Sequence, residues 1–195
     1  MRKIVVVEFL TLDGVMQAPG AADEDRSGGF DRGGWQLGYA DPTVGASIMA
    51  GFEETGGLLL GRRTYDIFAG SWPLESADNR LAGTINALPK WVVSTTLQEP
   101  LSWQNTTLIS DDVPAAIAAV REGDGKLIQV IGSGELVQTL IRHDLVDEYR
   151  LMIYPLVLGK GRRLFRDDTA ATLRLIESTA TAMGVVINRY EPARG

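Results

Sequence analysis

Leu127-Ile128-Gln129-Val130-Ile131-Gly132-Ser133-Gly134-Glu135-Leu136 is the stretch whose reading decides the fold. Its first five residues are apolar but for Gln129, β-branched at three positions and too short a run for a helix, so 127–131 reads as a strand. Gly-Ser-Gly then turns the chain. Residues 135–143 follow as a helix, with Leu136, Leu140 and Ile141 at helical spacing. A strand that feeds a glycine turn and a helix is the building unit of an α/β protein.

The same unit recurs on either side. Leu58-Leu59-Leu60 is a short buried strand that enters Gly61-Arg62-Arg63-Thr64 and a helical stretch through Phe68. Residues 91–94 and 107–110 read as strands, and Asp111-Asp112 cap a helix over 113–122. At the N-terminus, 2–9 is apolar and β-branched, the pattern of a strand covered on both faces. Asp41-Pro42 supplies an N-cap and a first-turn proline for a helix to about residue 54, with Val44, Ile48, Met49 and Phe52 along one face and Gly56-Gly57 as its stop. The last third changes character: 146–154, 172–180 and 184–191 read as strands with no helix between them. These elements predict one α/β domain over 1–195. It would hold a mostly parallel eight-stranded sheet, four helices on its two faces, and an antiparallel C-terminal edge. Between the first strand and first helix lies a Gly-, Asp- and Pro-rich segment, 13–40; a loop of that length is functional or a tolerated insertion.

Composition narrows the chemistry. With no cysteine and the single histidine His143, thiolate sites, disulfides and multi-histidine zinc sites are excluded. His143 follows Leu140-Ile141 at a helix C-terminus, where a partial positive charge is favourable without any catalytic role. A net charge of −6 argues against nucleic acid as the partner. No apolar run approaches a membrane span and the first residues lack a signal-peptide pattern, so a cytoplasmic protein with no membrane or metal partner is expected. Basic residues gather at Arg62-Arg63 and at Lys160, Arg162, Arg163 and Arg166. Each cluster reads either as a site for a small phosphorylated ligand or as a solvated surface.

Three strand ends carry the chemical argument, because open α/β sheets bind ligands at the carboxyl ends of strands and helix N-termini hold phosphate. At Ile131-Gly132-Ser133-Gly134-Glu135-Leu136 the glycines admit a pyrophosphate to the backbone, although a third glycine is missing and Glu135 is unhelpful beside a phosphate. Gly61-Arg62-Arg63-Thr64 offers two guanidinium groups and a hydroxyl at a helix start, and Ser94-Thr95-Thr96 offers three hydroxyls after a strand. Together they suit a ligand with more than one phosphate. An acidic residue after the second strand would read a free ribose; arginines and hydroxyls there favour NADP over NAD.

In their order and spacing, Leu12-Asp13-Gly14, Leu60-Gly61-Arg62-Arg63-Thr64-Tyr65, Val93-Ser94, the 131–136 turn, Val146-Asp147-Glu148 and Tyr154-Pro155-Leu156-Val157-Leu158-Gly159-Lys160-Gly161 resemble the dihydrofolate-reductase-like superfamily. The resemblance runs from residue 3 to about 190 and is nearest to the reductase domain of the riboflavin-biosynthesis deaminase–reductase, without its zinc-binding deaminase half. It implies an NADPH-dependent oxidoreductase. Arg62, Ser94 and Thr95 would hold the 2′-phosphate; Gly61, Arg63, Thr64 and the turn Ile131 to Leu136 would meet the pyrophosphate. Val7, Gly14 and Val15 would flank the nicotinamide. A small substrate would lie beneath the 13–40 loop near Trp35, Met49 and Tyr154, although loop packing explains Trp35 and Trp72 as well. The resemblance also implies a homodimer through the late strands, with Leu151, Ile153 and Val157 as sheet core or dimer seam. One departure counts against dihydrofolate: the acid that such reductases carry in their first long helix would fall near Gly45-Ala46, where none stands. Asp41, about a turn earlier, is the candidate substitute.

Overall fold

The computed structural model describes residues 1–193. Its eight strands are β1 (Ile4–Thr11), β2 (Thr55–Gly61), β3 (Lys90–Val93), β4 (Thr106–Ile109), β5 (Leu127–Ile131), β6 (Glu148–Tyr154), β7 (Leu173–Ala180) and β8 (Val186–Pro192). They join in one sheet of order β4-β3-β2-β5-β1-β6-β8-β7. β2 pairs in parallel with β3 and β5, as does β3 with β4, whereas β8 runs antiparallel to both β6 and β7. The expected eight-stranded, mostly parallel sheet with an antiparallel edge is therefore present. The helices are α1 (Pro42–Glu53), α2 (Arg62–Ala69), α3 (Arg80–Ala87), α4 (Val113–Glu122) and α5 (Gly134–Arg142). Among the described residues, no helix is long and apolar enough to cross a membrane.

Two features correct the sequence reading. Five helices form rather than four, because Arg80–Ala87 is helical: the Asn79 side chain caps it by accepting the Ala82 amide, and Ala82 and Ile85 bury one face. Gly56 and Gly57 do not follow the end of α1 as a stop; they lie inside β2, which begins at Thr55. Close approach explains them. A Cβ on Gly57 would stand 2.4 Å from the Trp91 ring, and one on Gly56 would stand 3.1 Å from the Lys126 carbonyl oxygen.

The described residues divide into two compact units, Met1–Val5 with Ile48–Val146, and Val6–Ser47 with the described residues from Asp147 onward. In the first, Phe52, Leu58, Leu60, Tyr65, Ile85, Val92 and Trp103 form a buried cluster. Lys90 is buried there too; its ammonium donates to the carbonyls of Ile85, Asn86 and Leu88 and lies 4.4 Å from the Trp103 ring centroid, and burial lowers its pKa to about 8. In the second unit the core is Val6, Leu10, Val15, Phe30, Tyr149, Leu151, Met152, Leu164, Val185 and Ile187. The 13–40 segment is ordered within it rather than hanging free, with short 3-10 turns at Ser27–Gly29 and Leu37–Tyr39.

Candidate functional site: three turns at the strand ends

All three turns singled out by the sequence lie in the first unit, and side-chain hydrogen bonds tie them together. β2 ends at Gly61, whose amide donates to the Ser133 hydroxyl at 2.9 Å. In return the Ser133 amide donates to the Thr64 hydroxyl at 3.0 Å, and the Ser133 hydroxyl donates to the Ile131 carbonyl at 3.2 Å. The turn after β5 is tight: Gly132 and Ser133 both take left-handed backbone angles, φ +57° and +63°. Glycine suits the first, where a Cβ would also meet the Thr64 hydroxyl at 3.2 Å. Ser133 tolerates the second while its side chain fastens the turn after β2.

The third turn follows β3. The Ser94 amide donates to the Ile109 carbonyl, and the Ser94 hydroxyl accepts the amides of Thr96 and Leu97. Arg62, at the first position of α2, donates to the Thr96 hydroxyl and pairs with Asp66 one turn on. Thr96, not the exposed Thr95, is the hydroxyl that meets the guanidinium. Sequence reasoning missed that role, since nothing in a polar triplet distinguishes one hydroxyl from the next.

The chemistry of this corner lies in what the helix ends lack. α2 begins after Gly61 and α5 after Ser133, and neither has a side-chain cap. Ser133 stands at the N-cap of α5 but spends its hydroxyl on Gly61 and Ile131. At neither of these cross-linked helix starts does the N-cap side chain accept a first-turn amide, an arrangement suited to an anion. Arg62 and Arg63 are exposed at the mouth, and Glu135, also exposed, and the buried Leu136 occupy the first turn of α5.

The remaining predicted residues lie elsewhere. Met49 sits half-buried on α1 in the first unit, whereas Val7, Gly14, Val15, Trp35, Asp41 and Tyr154 belong to the second. Gly14 takes φ +77° in the turn after β1. Val15 is fully buried, with its amide and carbonyl both bonded to Thr11. Trp35 and Tyr154 come together, ring centroids 5.3 Å apart and edge-to-face at 79°. The Asp41 carboxylate accepts the amides of Thr43 at 2.7 Å and Met183 at 3.2 Å, and the Thr43 bond above all holds its pKa below the usual range. It is an anionic N-cap for α1. Of the late-strand strip, Leu151 is buried, Ile153 half-buried and Val157 exposed.

The RibD C-terminal domain sequence pattern matches residues 2–187. The chain belongs to the RibD C-terminal domain family. Protein YyaP of Bacillus subtilis (strain 168) is 28% identical over 189 residues, covering 95% of this chain and 92% of its own length. Among solved structures, a riboflavin-biosynthesis-type protein from Shewanella sp. PV-4 is similar with a TM-score of 0.71 and 24% identity, over 98% of this chain and 99% of that one. Dihydrofolate reductase from Enterococcus faecalis, complexed with NADP(H) and RAB-propyl, shares the fold at a TM-score of 0.62 and 12% identity, over 98% and 97% of the two chains. The dihydrofolate-reductase-like architecture expected from sequence is thus established.

Proposed function

We propose that this member of the family is an NADPH-dependent reductase that delivers hydride to a small heterocyclic or carbonyl compound. One observation carries the reading: Ser133 cross-links two uncapped helix N-termini within one unit, and Arg62 reaches from one of them to the turn after Ser94. A dinucleotide has two such demands, a pyrophosphate for the amides and a 2′-phosphate for a guanidinium. In this reading Gly61, Arg63, Thr64 and residues 131–136 hold the pyrophosphate. Arg62, Ser94 and the hydroxyls beside it hold the 2′-phosphate. The NADP(H) bound by the enterococcal enzyme of like fold supports the choice of cofactor. NADPH supplies the hydride; the chain's own task is to grip and orient it.

Calorimetry with NADPH and NADH tests the assignment. NADPH should bind at least about tenfold more tightly than NADH, a difference of about 1.4 kcal/mol, and equal affinities refute it. A second reading, a dinucleotide-binding module without turnover, draws on α1: its one carboxylate is Glu53 at the far end, and Asp41 is held as an anion by backbone amides. NADPH oxidation with any compound in a panel of pterins, pyrimidines and quinones eliminates that alternative, and complementation of a strain lacking dihydrofolate reductase tests dihydrofolate itself. We place the homodimer at the late strands, where β7 is an edge strand with Leu175 and Ile176 exposed; light scattering at the mass of one chain refutes it.

A further inference from the structure

Arg62 opens α2, and Asp66 stands one helical turn after it. The Arg62 Nε lies 3.3 Å from an Asp66 carboxylate oxygen, and the two side chains are 48% and 51% exposed. The Arg62 Nη1 donates to the Thr96 hydroxyl, which lies 3.3 Å from the Ser94 hydroxyl. The ion pair and both hydroxyls belong to the same unit as the linked turns after β2 and β5.

Helix stability gives little reason for this pair. A cation in the first turn meets the positive end of the helix dipole, and an arginine four residues before an acid is the weaker order for such a pair. Half exposure weakens it further through solvent screening. The pair adds little to α2, and its main effect falls on the Arg62 guanidinium.

A guanidinium carries five N–H groups and grips an anion best through two at once. It does so along its Nε–Nη2 edge or across its Nη1–Nη2 end. Asp66 takes the edge at Nε, and the Thr96 hydroxyl takes one hydrogen of Nη1; among the described residues nothing bonds to Nη2. A phosphate arriving at Arg62 either displaces Asp66 from the edge or takes the end and keeps the carboxylate as a near neighbour. On both routes it meets a competing anion. A ribose with a free 2′-hydroxyl brings no charge and meets no such opposition.

We propose that Asp66 is a specificity residue of the cofactor site: it competes with the 2′-phosphate for Arg62 and so limits the preference for NADPH over NADH. This rests on the cofactor reading and goes beyond it, because that reading gives the choice to the arginine and its hydroxyls alone. A carboxylate about 7 Å from a phosphate dianion, in water and screened by physiological salt, weakens binding by about two- to fivefold.

Calorimetry on the full chain with NADPH and with NADH tests it. Asp66→Asn keeps the size of the side chain and removes its charge. It should tighten NADPH by about two- to fivefold, leave NADH within about twofold, and leave the melting temperature unchanged. The gain should shrink at about 1 M salt, where the Debye length is about 3 Å. Asp66→Ala, which also favours the helix, should widen the ratio of the two dissociation constants likewise. Weaker NADPH binding in these variants overturns the proposal, because the acid then orients Arg62 instead of competing for it. An unchanged ratio, or an equal change for both cofactors, overturns it too and leaves the cofactor reading intact. Failure of the parent chain to bind NADPH refutes the cofactor reading and this inference with it.

Discussion

Ser133 is the residue on which the geometry of the proposed cofactor site depends most, and its truncation gives two separable effects. Ser133→Ala removes the acceptor for the Gly61 amide and the donor to the Ile131 carbonyl, at 2.9 and 3.2 Å. At about 1 kcal/mol for each neutral hydrogen bond, the expected loss is about 2 kcal/mol. For a domain of this size that lowers the melting temperature by roughly 4–8 °C. The left-handed backbone of residue 133, φ +63°, carries about the same steric cost for alanine as for serine and cancels from the comparison. Ser133→Gly loses the same bonds but recovers about 1 kcal/mol of that backbone cost, so it should melt above the alanine variant. Both variants remove one of the two bonds between the turns after β2 and β5, leaving the residue-133 amide on the Thr64 hydroxyl, so both should weaken NADPH by about tenfold. Thermal melts and calorimetry on the pair read the two effects independently. If NADPH affinity falls in proportion to stability, with glycine less affected than alanine, the link is merely structural. If it does not fall at all, the turns do not act together on one ligand and the reasoning fails.

Arg62→Ala should weaken NADPH by tenfold or more and NADH by less than about twofold in calorimetry. Its pair with Asp66 is exposed, so stability should change by under about 1 kcal/mol. Gly57→Ala forces a methyl to within 2.4 Å of the Trp91 ring and should lower the urea midpoint by about 1–3 kcal/mol equivalent; Trp91→Leu in the same chain should restore part of it, and an unaltered midpoint contradicts the packing argument. Glu8 is buried, with one carboxyl oxygen unpartnered, and burial holds its pKa well above the ordinary range. The folded chain keeps a proton that the unfolded chain releases. Its contribution to stability is therefore full below the ordinary carboxylate pKa and lost as pH rises through the folded value. Glu8→Gln should gain stability relative to the parent as pH rises from roughly 5 to 8, and a constant difference over that range would show Glu8 to be ionised.

The strand–turn–helix units were legible because their signals are local. An apolar run with no alternation, such as Leu127–Ile131, can be little else than a covered strand, and Asp41-Pro42 and Asp111-Asp112 announce helix starts that the observed caps match. α3 was not legible. Its Gly83 and Thr84 are poor helix formers, and its stability comes from Ala82 and Ile85 entering a core assembled from distant segments. Gly56 and Gly57 misled for a related reason: their small size answers to Trp91 and Lys126, not to the end of the preceding helix. At the candidate site the turn positions could be read, but the partners of Ser133 and Arg62 lie 72 and 34 residues away and no spacing rule reaches them.

The two basic clusters make the same point about function. Both look alike as runs of arginine and lysine, and the difference lies in the acids each meets. Arg62 meets Asp66 one helical turn away, with both side chains about half exposed; such a pair is worth a few tenths of a kcal/mol and a phosphate displaces it readily. Arg162 meets Asp25, whose side chain is 9% exposed, and also the Ser27 hydroxyl, while its own amide is fixed to the Gln17 side chain at 3.1 Å. Displacing that acid would strand a covered carboxylate, which costs far more than a surface pair returns. Arg62 is therefore the cation that the proposed cofactor could recruit, whereas Arg162 is committed to ordering the 13–40 segment; Lys160, whose partner Asp31 is 72% exposed, is held no more firmly than Arg62. Arg62 and Arg162 are thus told apart by burial of the partner acid, a property that for Arg162 is set by residues more than 130 positions distant.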